Sequence, residues 1–411
     1  MRMGMSWEDV VLIEGGRTSS DPTVVTVNCP DKAGLGCDLL RIVLEFGLCV
    51  TRGDFSTDGR WCYVVLWVVP RPSSLRVDWE SLKNRLLSCC PSCLPTFYLN
   101  QLSDSSKPPL LYMLKVFSLD RKGLIHDVTK VLCELDLAIQ RVKVTTTPDG
   151  KVLDLFFITD GMDLLHTKIR REETCEHLST VLGECCITCE LEVAGPEYDV
   201  QEGHCCVSET VAEELFSCEV SAMKDTSQAS ITVDNLLSPT HTLLQIQCLD
   251  QKGLVYDILK ISKDCNIRIV HGRIWSSDKG YRSLDLFIQM GDGKKIMDKD
   301  SQACLCSRLK EEMLNPLRVI ITSRGPDTEL LVANPVELSG KGRPRVFYDV
   351  TFALKTLGIC VFSAEIGRHS TSQRQWEVYR FLLDESRGCA LTSNRAKRDV
   401  VDQVRRILMG W

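Results

Sequence analysis

The chain of 411 residues lacks the sequence patterns that mark a catalyst. Aromatic residues make up only 7%, and the 7 histidines are scattered along the sequence. The patterns Gly-x-x-x-x-Gly-Lys-Ser/Thr, His-Glu-x-x-His and Gly-x-Ser-x-Gly do not occur, so nothing indicates a phosphate-binding loop, a zinc protease or a serine hydrolase. We therefore predict that the protein is not an enzyme and carries no cofactor.

An excess of basic residues and long apolar runs are also missing. The net charge is −6 and the pI is about 5.8, whereas a general nucleic-acid-binding protein shows a basic stripe. Apolar runs such as Tyr63–Pro70 are too short to cross a membrane. The N-terminus reaches Glu8 and Asp9 at once and resembles neither a signal peptide nor a transit peptide. We expect no nucleic-acid or membrane partner and a cytoplasmic location, with the nucleus as the second possibility.

Cysteine, in contrast, is abundant, with 21 residues. The number is odd and the spacing is irregular, and a cytosolic chain of this length does not need disulfide bonds. Two Cys-x-x-Cys patterns occur, Cys90–Cys93 and Cys186–Cys189. A closed zinc site needs four ligands, and metal-handling domains of similar topology carry the pattern in a different loop. We predict core cysteines and no metal site.

One phrase, Asp-x-x-Gly-Leu-x-x-Asp followed by an apolar residue, recurs along the chain. Its three copies are Asp31–Leu39, Asp120–Val128 and Asp250–Ile258. Each copy follows a β-rich run and opens an amphipathic helix, and two strands, a second helix and a last strand come next. A fourth, degenerate copy has Arg345 in place of the motif glycine and Gly342 in place of the first aspartate.

This order predicts an α+β fold of four tandem ferredoxin-like βαββαβ domains, with antiparallel sheets and helices on one face. We expect two pairs, domain 1 with domain 2 and domain 3 with domain 4. An acidic linker separates the pairs, and a short helix is possible within it at Val211–Phe216. The expected boundaries are 1–20 for the N-terminal tail, 21–103 for domain 1, 110–194 for domain 2, 195–239 for the linker, 240–323 for domain 3 and 328–411 for domain 4.

The recurring phrase lies where a strand ends and a helix begins. The first N–H groups of a helix attract a carboxylate, and glycine allows a ligand to approach the backbone closely. The preceding aspartate could bind an ammonium group, so the turn suits an amino acid. The same residues also suit an ordinary turn with a helix cap, and the second aspartate suits the helix dipole.

The phrase, in this position, resembles the ACT domain. Phe55–Trp61 in domain 1 and Asn334–Gly342 in domain 4 add to the resemblance. Four copies resemble the plant ACT-domain-repeat proteins, which are similar to the ACT region of the bacterial uridylyltransferase that senses glutamine. The resemblance implies a free amino acid bound at the strand–helix turn, often between paired domains, with glutamine as the first expected ligand.

The candidate binding residues come from the three complete motifs: Asp31, Gly34, Leu35, Asp120, Gly123, Leu124, Asp250, Gly253 and Leu254. We expect domain 4 to lack a site and to complete a pair with domain 3. His126, inside the second motif, is expected to have a partner role or a helix-surface role and not a catalytic one.

The predicted function is that of an amino-acid sensor with an unknown protein partner, such as a regulated enzyme, and with possible homodimers through ACT pairing. The alternative is a scaffold without ligand that mediates protein–protein interaction. An RNA-recognition module shares the βαββαβ order, but it needs stacking aromatics, and Asp154 and Asp285 would repel phosphates.

Overall fold

The computed structural model describes residues 10–71, 77–91, 110–195, 207–216, 229–384 and 391–410, apart from positions 17, 19, 20, 148, 278, 279, 326, 339, 373 and 392. The chain forms two compact units. Unit A contains Met1–Lys107 and Val220–Pro316, and unit B contains Pro108–Glu219 and Leu317–Trp411. Each unit therefore combines two domains that are distant in sequence.

Unit A contains domains 1 and 3. The elements of domain 1 are β1 (Val11–Glu14), β2 (Thr23–Pro30), α1 (Leu35–Glu45), β3 (Leu48–Thr57), β4 (Trp61–Pro70) and α2 (Trp79–Cys89). The elements of domain 3 are β9 (Ser230–Asp234), β10 (Thr242–Leu249), α6 (Leu254–Asp264), β11 (Ile267–Ser276), β12 (Tyr281–Met290) and α7 (Lys299–Leu314). Their strands form one eight-stranded sheet in the order β1-β2-β4-β3-β11-β12-β10-β9.

Unit B contains domains 2 and 4. The elements of domain 2 are β5 (Tyr112–Leu119), α3 (Leu124–Glu134), β6 (Leu137–Thr146), β7 (Lys151–Asp160), α4 (Lys168–Leu182) and β8 (Cys186–Val193). The elements of domain 4 are β13 (Arg318–Arg324), β14 (Asp327–Pro335), α8 (Val346–Thr356), β15 (Cys360–Ser370), β16 (Gln375–Asp384) and α9 (Asn394–Met409). The strand order is β13-β14-β16-β15-β6-β7-β5-β8.

The α+β fold of antiparallel ferredoxin-like domains in two pairs is confirmed, but the expected partners were wrong. Domain 1 pairs with domain 3 through β3 and β11, and domain 2 pairs with domain 4 through β6 and β15. Helices pack across each junction, α1 on α6 and α3 on α8. The crossed pairing places one lysine at each junction. Asp38 and Asp127 lie in the first turns of α1 and α3, while the last turns of α6 and α8 carry Lys263 and Lys355.

The strand that was expected to be the last strand of domain 3 belongs to domain 4 instead. Residues 317–322 were expected to close domain 3, but β13 pairs with β14 of domain 4. The reason is local: Arg324 and Asp327 are paired across a tight turn that contains Gly325 at φ +63°, so β13 and β14 form a hairpin. In domain 3, β9 takes the edge position beside β10. The closing strand expected at 96–99 lies outside the described residues.

The segment expected as a linker, 195–239, contains β9 and a short helix, α5 (Glu209–Phe216). The helix covers the outer face of the domain 4 sheet. Leu215 is buried there, and the ring of Phe216 stacks on His369 at 4.8 Å between centroids and contacts Trp376. At least these parts of the segment are therefore packed structure.

Candidate functional site

The first helix of every domain begins at a residue with left-handed backbone conformation. Gly34, Gly123 and Gly253 have φ of +78°, +78° and +74°, and no side chain caps these helices. Glycine adopts this conformation without steric cost. Arg345 adopts it in domain 4 at φ +64°, and its guanidinium lies 4.5 Å above the centre of the Tyr348 ring. The degenerate copy keeps the turn geometry despite its arginine.

The first aspartate of each motif has the same backbone position. The N–H groups of Asp31, Asp120 and Asp250 each donate to the carbonyl oxygen of the residue just before β4, β7 or β12. Val336 makes the corresponding hydrogen bond in domain 4, with Gln375, the first residue of β16, as acceptor. The sequence pattern predicts Gly342 in this place, which Val336 occupies instead. A Cβ on Gly342 would lie 2.5 Å from Asn334 and Glu377, so this glycine permits close packing instead.

Arginine side chains bind two of these aspartates. In domain 1, Asp31 accepts hydrogen bonds from Thr57 at 2.7 Å and from Arg268 of domain 3 at 3.3 Å. In domain 3, Arg282 donates to both carboxylate oxygens of Asp250, at 3.1 and 2.6 Å. Such bidentate pairs are strong and geometrically fixed. An ammonium group would have to displace an arginine at either place.

The space directly above two motif glycines contains a lysine from the paired domain. A Cβ on Gly34 would lie 2.8 Å from Cδ of Lys263, and one on Gly123 would lie 2.8 Å from Cδ and Cγ of Lys355. The same geometry therefore occurs in both units. The glycine permits this close approach, which is a structural reason for its presence that requires no ligand.

Each of these lysines also forms an ion pair across the domain junction. The Nζ atom of Lys263 lies 2.8 Å from Asp38, and that of Lys355 lies 2.6 Å from Asp127. Arg121 contacts the other oxygen of Asp127 at 2.7 Å. Burial favours the neutral acid, but the hydrogen bonds from Lys355 and Arg121 hold the pKa of Asp127 below its ordinary value. The second aspartate of the motif thus joins two domains.

A cleft lies beside Gly123, between domains 2 and 4 within unit B. Both signs of charge and an apolar wall meet there, contributed by Asp120, Arg121, Gly123, Leu124, Ile125, His126, Thr351, Leu354, Lys355, Ile359 and Val361. Leu124, like Leu35 and Leu254 in the other motifs, is buried in the core. Their backbone N–H groups donate to the carbonyl oxygens of Lys32, Arg121 and Gln251 within the turns, so these leucines have a structural role here.

His126 is buried at the domain junction. Its ring lies 4.9 Å from that of Tyr348 and 5.3 Å from that of Phe352, and Nδ1 is 3.3 Å from the Thr351 hydroxyl. Burial and then the charge of Lys355 lower the pKa of His126 to about 4. The ring is therefore neutral near pH 7 and packs against α8, so it does not lie on the helix surface.

Beneath the turn, domain 2 contains buried polar atoms without a hydrogen-bond partner in the described part of the chain. They are the Ser118 and Thr146 hydroxyls and both carboxyl oxygens of Asp154. Ser118 and Thr146 flank Val152 in the sheet, and Asp154 is two residues further along β7 on the same face. Burial, reinforced by the charge of Asp120, raises the pKa of Asp154 to about 8. This cluster was not predicted as part of a site.

The cysteine patterns hold no metal-binding arrangement in the described residues, where no group of three or more His, Cys, Asp or Glu side chains is placed to bind an ion. Cys90 is buried, and Cys186 and Cys189 pack against the core of unit B. Cys93 lies outside the described residues. The described residues also include no helix with the length and apolar character needed to cross a membrane.

Sequence patterns alone missed the residues that the paired domains contribute: Arg268, Lys263, Lys355 and the cleft wall of domain 4. The sequence held no signal for them, because all four helices carry an aspartate in the first turn, so the two lysines allow as many ion pairs in the expected pairing as in the observed one.

Comparison with known proteins shows similarity to ACT proteins along the chain. Family profiles match residues 13–91 (ACT domain-containing protein ACR10, N-terminal), 230–327 (ACR9-like, ACT-like domain) and 328–410 (ACT domain-containing protein ACR9, C-terminal). A solved structure described as an unknown protein from Galdieria sulphuraria is 19% identical and covers 43% of this chain and 99% of its own, with a TM-score of 0.17.

Two curated relatives match over the full length of both chains. The ACT domain-containing protein ACR9 of Arabidopsis thaliana is 66% identical over 411 residues. The ACT domain-containing protein ACR10 of the same plant is 48% identical over 420 residues. With the repeated turn geometry and the paired ferredoxin-like sheets, this similarity shows that the chain belongs to the plant ACT-domain-repeat proteins.

Proposed function

We propose that the protein is a non-catalytic regulatory sensor that binds a free amino acid in the cleft of unit B, at the turn of domain 2. The main observation that supports this proposal is the arrangement of charged groups in the cleft. Asp120 can accept hydrogen bonds from an ammonium group, and Arg121 and Lys355 can bind a carboxylate once they turn away from Asp127, which both contact in this structure. The N-terminus of α3 at Gly123 also favours a carboxylate. A zwitterion matches this arrangement.

We place the site in unit B because the cleft beside Gly123 brings Asp120, Arg121 and Lys355 together there. The stem of Lys355 crosses Gly123, so ligand entry requires this half-exposed side chain to turn.

The competing function, a paired scaffold without ligand, has one observation in its favour. The lysine stems above Gly34 and Gly123 explain these glycines as packing residues in both units. Under this alternative, the motif serves the domain junction, and no amino acid stabilises the protein.

Calorimetric titration of the pure full-length chain with each of the twenty amino acids tests the proposal. Glutamine is included because the family resemblance suggested it. We expect one amino acid or a small group to bind, and a ligand at about 100 times its Kd to stabilise the fold by roughly 2.7 kcal/mol. Asp120→Asn should abolish binding, while the matched variant Asp31→Asn should retain it.

The opposite pattern of the two variants would place the site in unit A. No binding by any amino acid would favour the scaffold. We also propose, as expectations that accompany the sensor function, a partner protein such as a regulated enzyme, homodimers formed through the ACT domains, and a cytoplasmic location.

A further inference from the structure

We infer that the amino acid bound beside Gly123 has an aliphatic side chain, as valine, leucine and isoleucine have, because domain 4 gives the cleft an aliphatic wall. This inference rests on the proposed function and specifies its ligand. The wall consists of Leu354, Ile359 and Val361, and Ile125 of domain 2 lines the same cleft. Leu354 and Ile359 are almost fully buried, so their positions are fixed by packing.

The charged groups of the cleft are needed for the ends of the ligand. Asp120 is the acceptor for its ammonium group, and Arg121 and Lys355 are the donors for its carboxylate. The ligand side chain must then contact the remaining lining residues. These are aliphatic side chains together with two polar ones, His126 and Thr351.

Hydrogen bonds within the domain pair engage both of those polar side chains. The Thr351 hydroxyl donates to the carbonyl oxygen of Tyr348 at 2.9 Å, and its oxygen lies 3.3 Å from Nδ1 of His126. The imidazole is wedged between the rings of Tyr348 and Phe352. An amide or hydroxyl side chain would lose hydrogen bonds to water here, and the Thr351 hydroxyl and Nδ1 of His126 are already engaged within the domain pair.

Unit A differs from unit B at one position of this wall. Strand register and helix position align Ser262 with Leu354, whereas Ile269, which is also aliphatic, aligns with Val361. Gly36 stands where Ile125 stands in domain 2, and a Cβ on Gly36 would lie 3.3 Å from the Phe55 ring. Phe55 and Leu259 therefore limit the space beside Gly36, while the equivalent position in domain 2 lines a cleft.

Titration of the full chain with leucine, isoleucine, valine, glutamine and asparagine tests the inference. We expect an aliphatic amino acid to bind about tenfold or more tightly than glutamine, in line with the selectivity of apolar pockets. Val361→Thr adds a hydroxyl at nearly constant shape and should weaken leucine binding about tenfold. Ile269→Thr, at the same register position in domain 3, is the control and should leave it unchanged.

The outcomes separate this inference from the proposed function. If glutamine or another polar amino acid binds most tightly and Asp120→Asn abolishes that binding, the sensor function stands and the aliphatic class is wrong. If leucine binds but Val361→Thr has no effect, the ligand side chain does not contact the wall, and the inference is overturned. If no amino acid binds, both proposals fail.

Discussion

At the scale of single residues, Asp154 is the least expected group in the molecule. Its carboxyl group is fully buried between Val116 and Val144, and neither oxygen has a hydrogen-bond partner in the described chain. The strand positions that correspond to it are Val64 in domain 1 and Leu284 in domain 3. An apolar side chain therefore fits this place in the fold.

Asp154→Val should stabilise the protein by about 1–3 kcal/mol, because it removes a buried polar group without a partner. The pKa of Asp154 is raised from 3.8 in the unfolded chain to about 8 in the folded protein. Its contribution to stability is therefore fully present below about pH 4 and is lost as the pH rises to about 8. Denaturant unfolding at pH 5 and pH 8 should show that the substitution stabilises more at pH 8. Lower stability of the variant at pH 8 would mean that a bound group holds the carboxylate.

Gly123 and Gly280 form a matched pair for measuring the effect of the lysine stem. Both have left-handed φ, +78° and +77°, but a Cβ on Gly280 would meet no atom within 4 Å. Alanine at either position incurs the cost of the left-handed backbone. Gly123→Ala must also displace Lys355 and disturb its ion pair with Asp127. We expect it to cost about 1 kcal/mol more than Gly280→Ala, measured by urea unfolding. Equal costs would show that Lys355 moves aside freely.

The sequence predicted the residues that act within one domain and missed those that act between domains. The Asp-x-x-Gly phrase located the left-handed turn correctly, because glycine at a strand–helix junction has a local meaning. Arg268 and Lys263 could not be assigned from local pattern. Each lies more than two hundred residues from the aspartate it contacts, as the pair Lys263–Asp38 shows.

At the scale of secondary structure elements, the junction of α3 and α8 is sensitive to acid. His126 is the titratable group at its centre, and Asp127, Lys355, Lys130 and the Thr351 hydroxyl surround it. The pKa of His126 falls from 6.5 to about 4 on folding. The contribution of neutral His126 to the stability of the fold is therefore present above about pH 6.5 and is lost as the pH falls towards 4.

His126→Phe should make unit B less sensitive to acid, because phenylalanine packs between the same rings and does not titrate. From pH 7 to pH 5 we expect the wild type to lose about 2 kcal/mol more than the variant. Hydrogen exchange of α3 and α8 measures the effect locally, with α1 and α6 as internal reference, because Cys37 occupies the equivalent position in α1. The same loss in both proteins would contradict this role.

Elements were predicted more reliably than their partners. Alternation and helical spacing located the strands and helices around each motif, because burial of one face imposes these periods. The prediction that β13 belongs to domain 3 was wrong, because a strand has the same sequence pattern whether it closes the preceding domain or opens the next one. The short connection to β14 decides the question, and in the sequence the Gly325-Pro326-Asp327 turn signal indicates it.

At the scale of the whole molecule, the crossed pairing predicts how the chain can be divided. Residues 1–203 contain domains 1 and 2, which do not pair with each other, and residues 204–411 contain their partners, domains 3 and 4. Expressed together, the two fragments should purify as one complex. Expressed alone, each fragment should aggregate, because its sheets lose their partner strands. The open edges are β3 and β6 in the first fragment and β11 and β15 in the second. Two fragments that are soluble and monomeric alone would contradict the crossed pairing.

The crossed pairing also affects the order of events during synthesis. When β3 leaves the ribosome, about 200 residues remain to be made before β11 can pair with it. At 5–20 residues per second, this delay is roughly 10–40 s. The edge of β3 and the apolar face of α1 stay uncovered during that time, and those of domain 2 wait similarly for domain 4. We therefore expect the nascent chain to be prone to aggregation, or to need a chaperone, until its second half has been made.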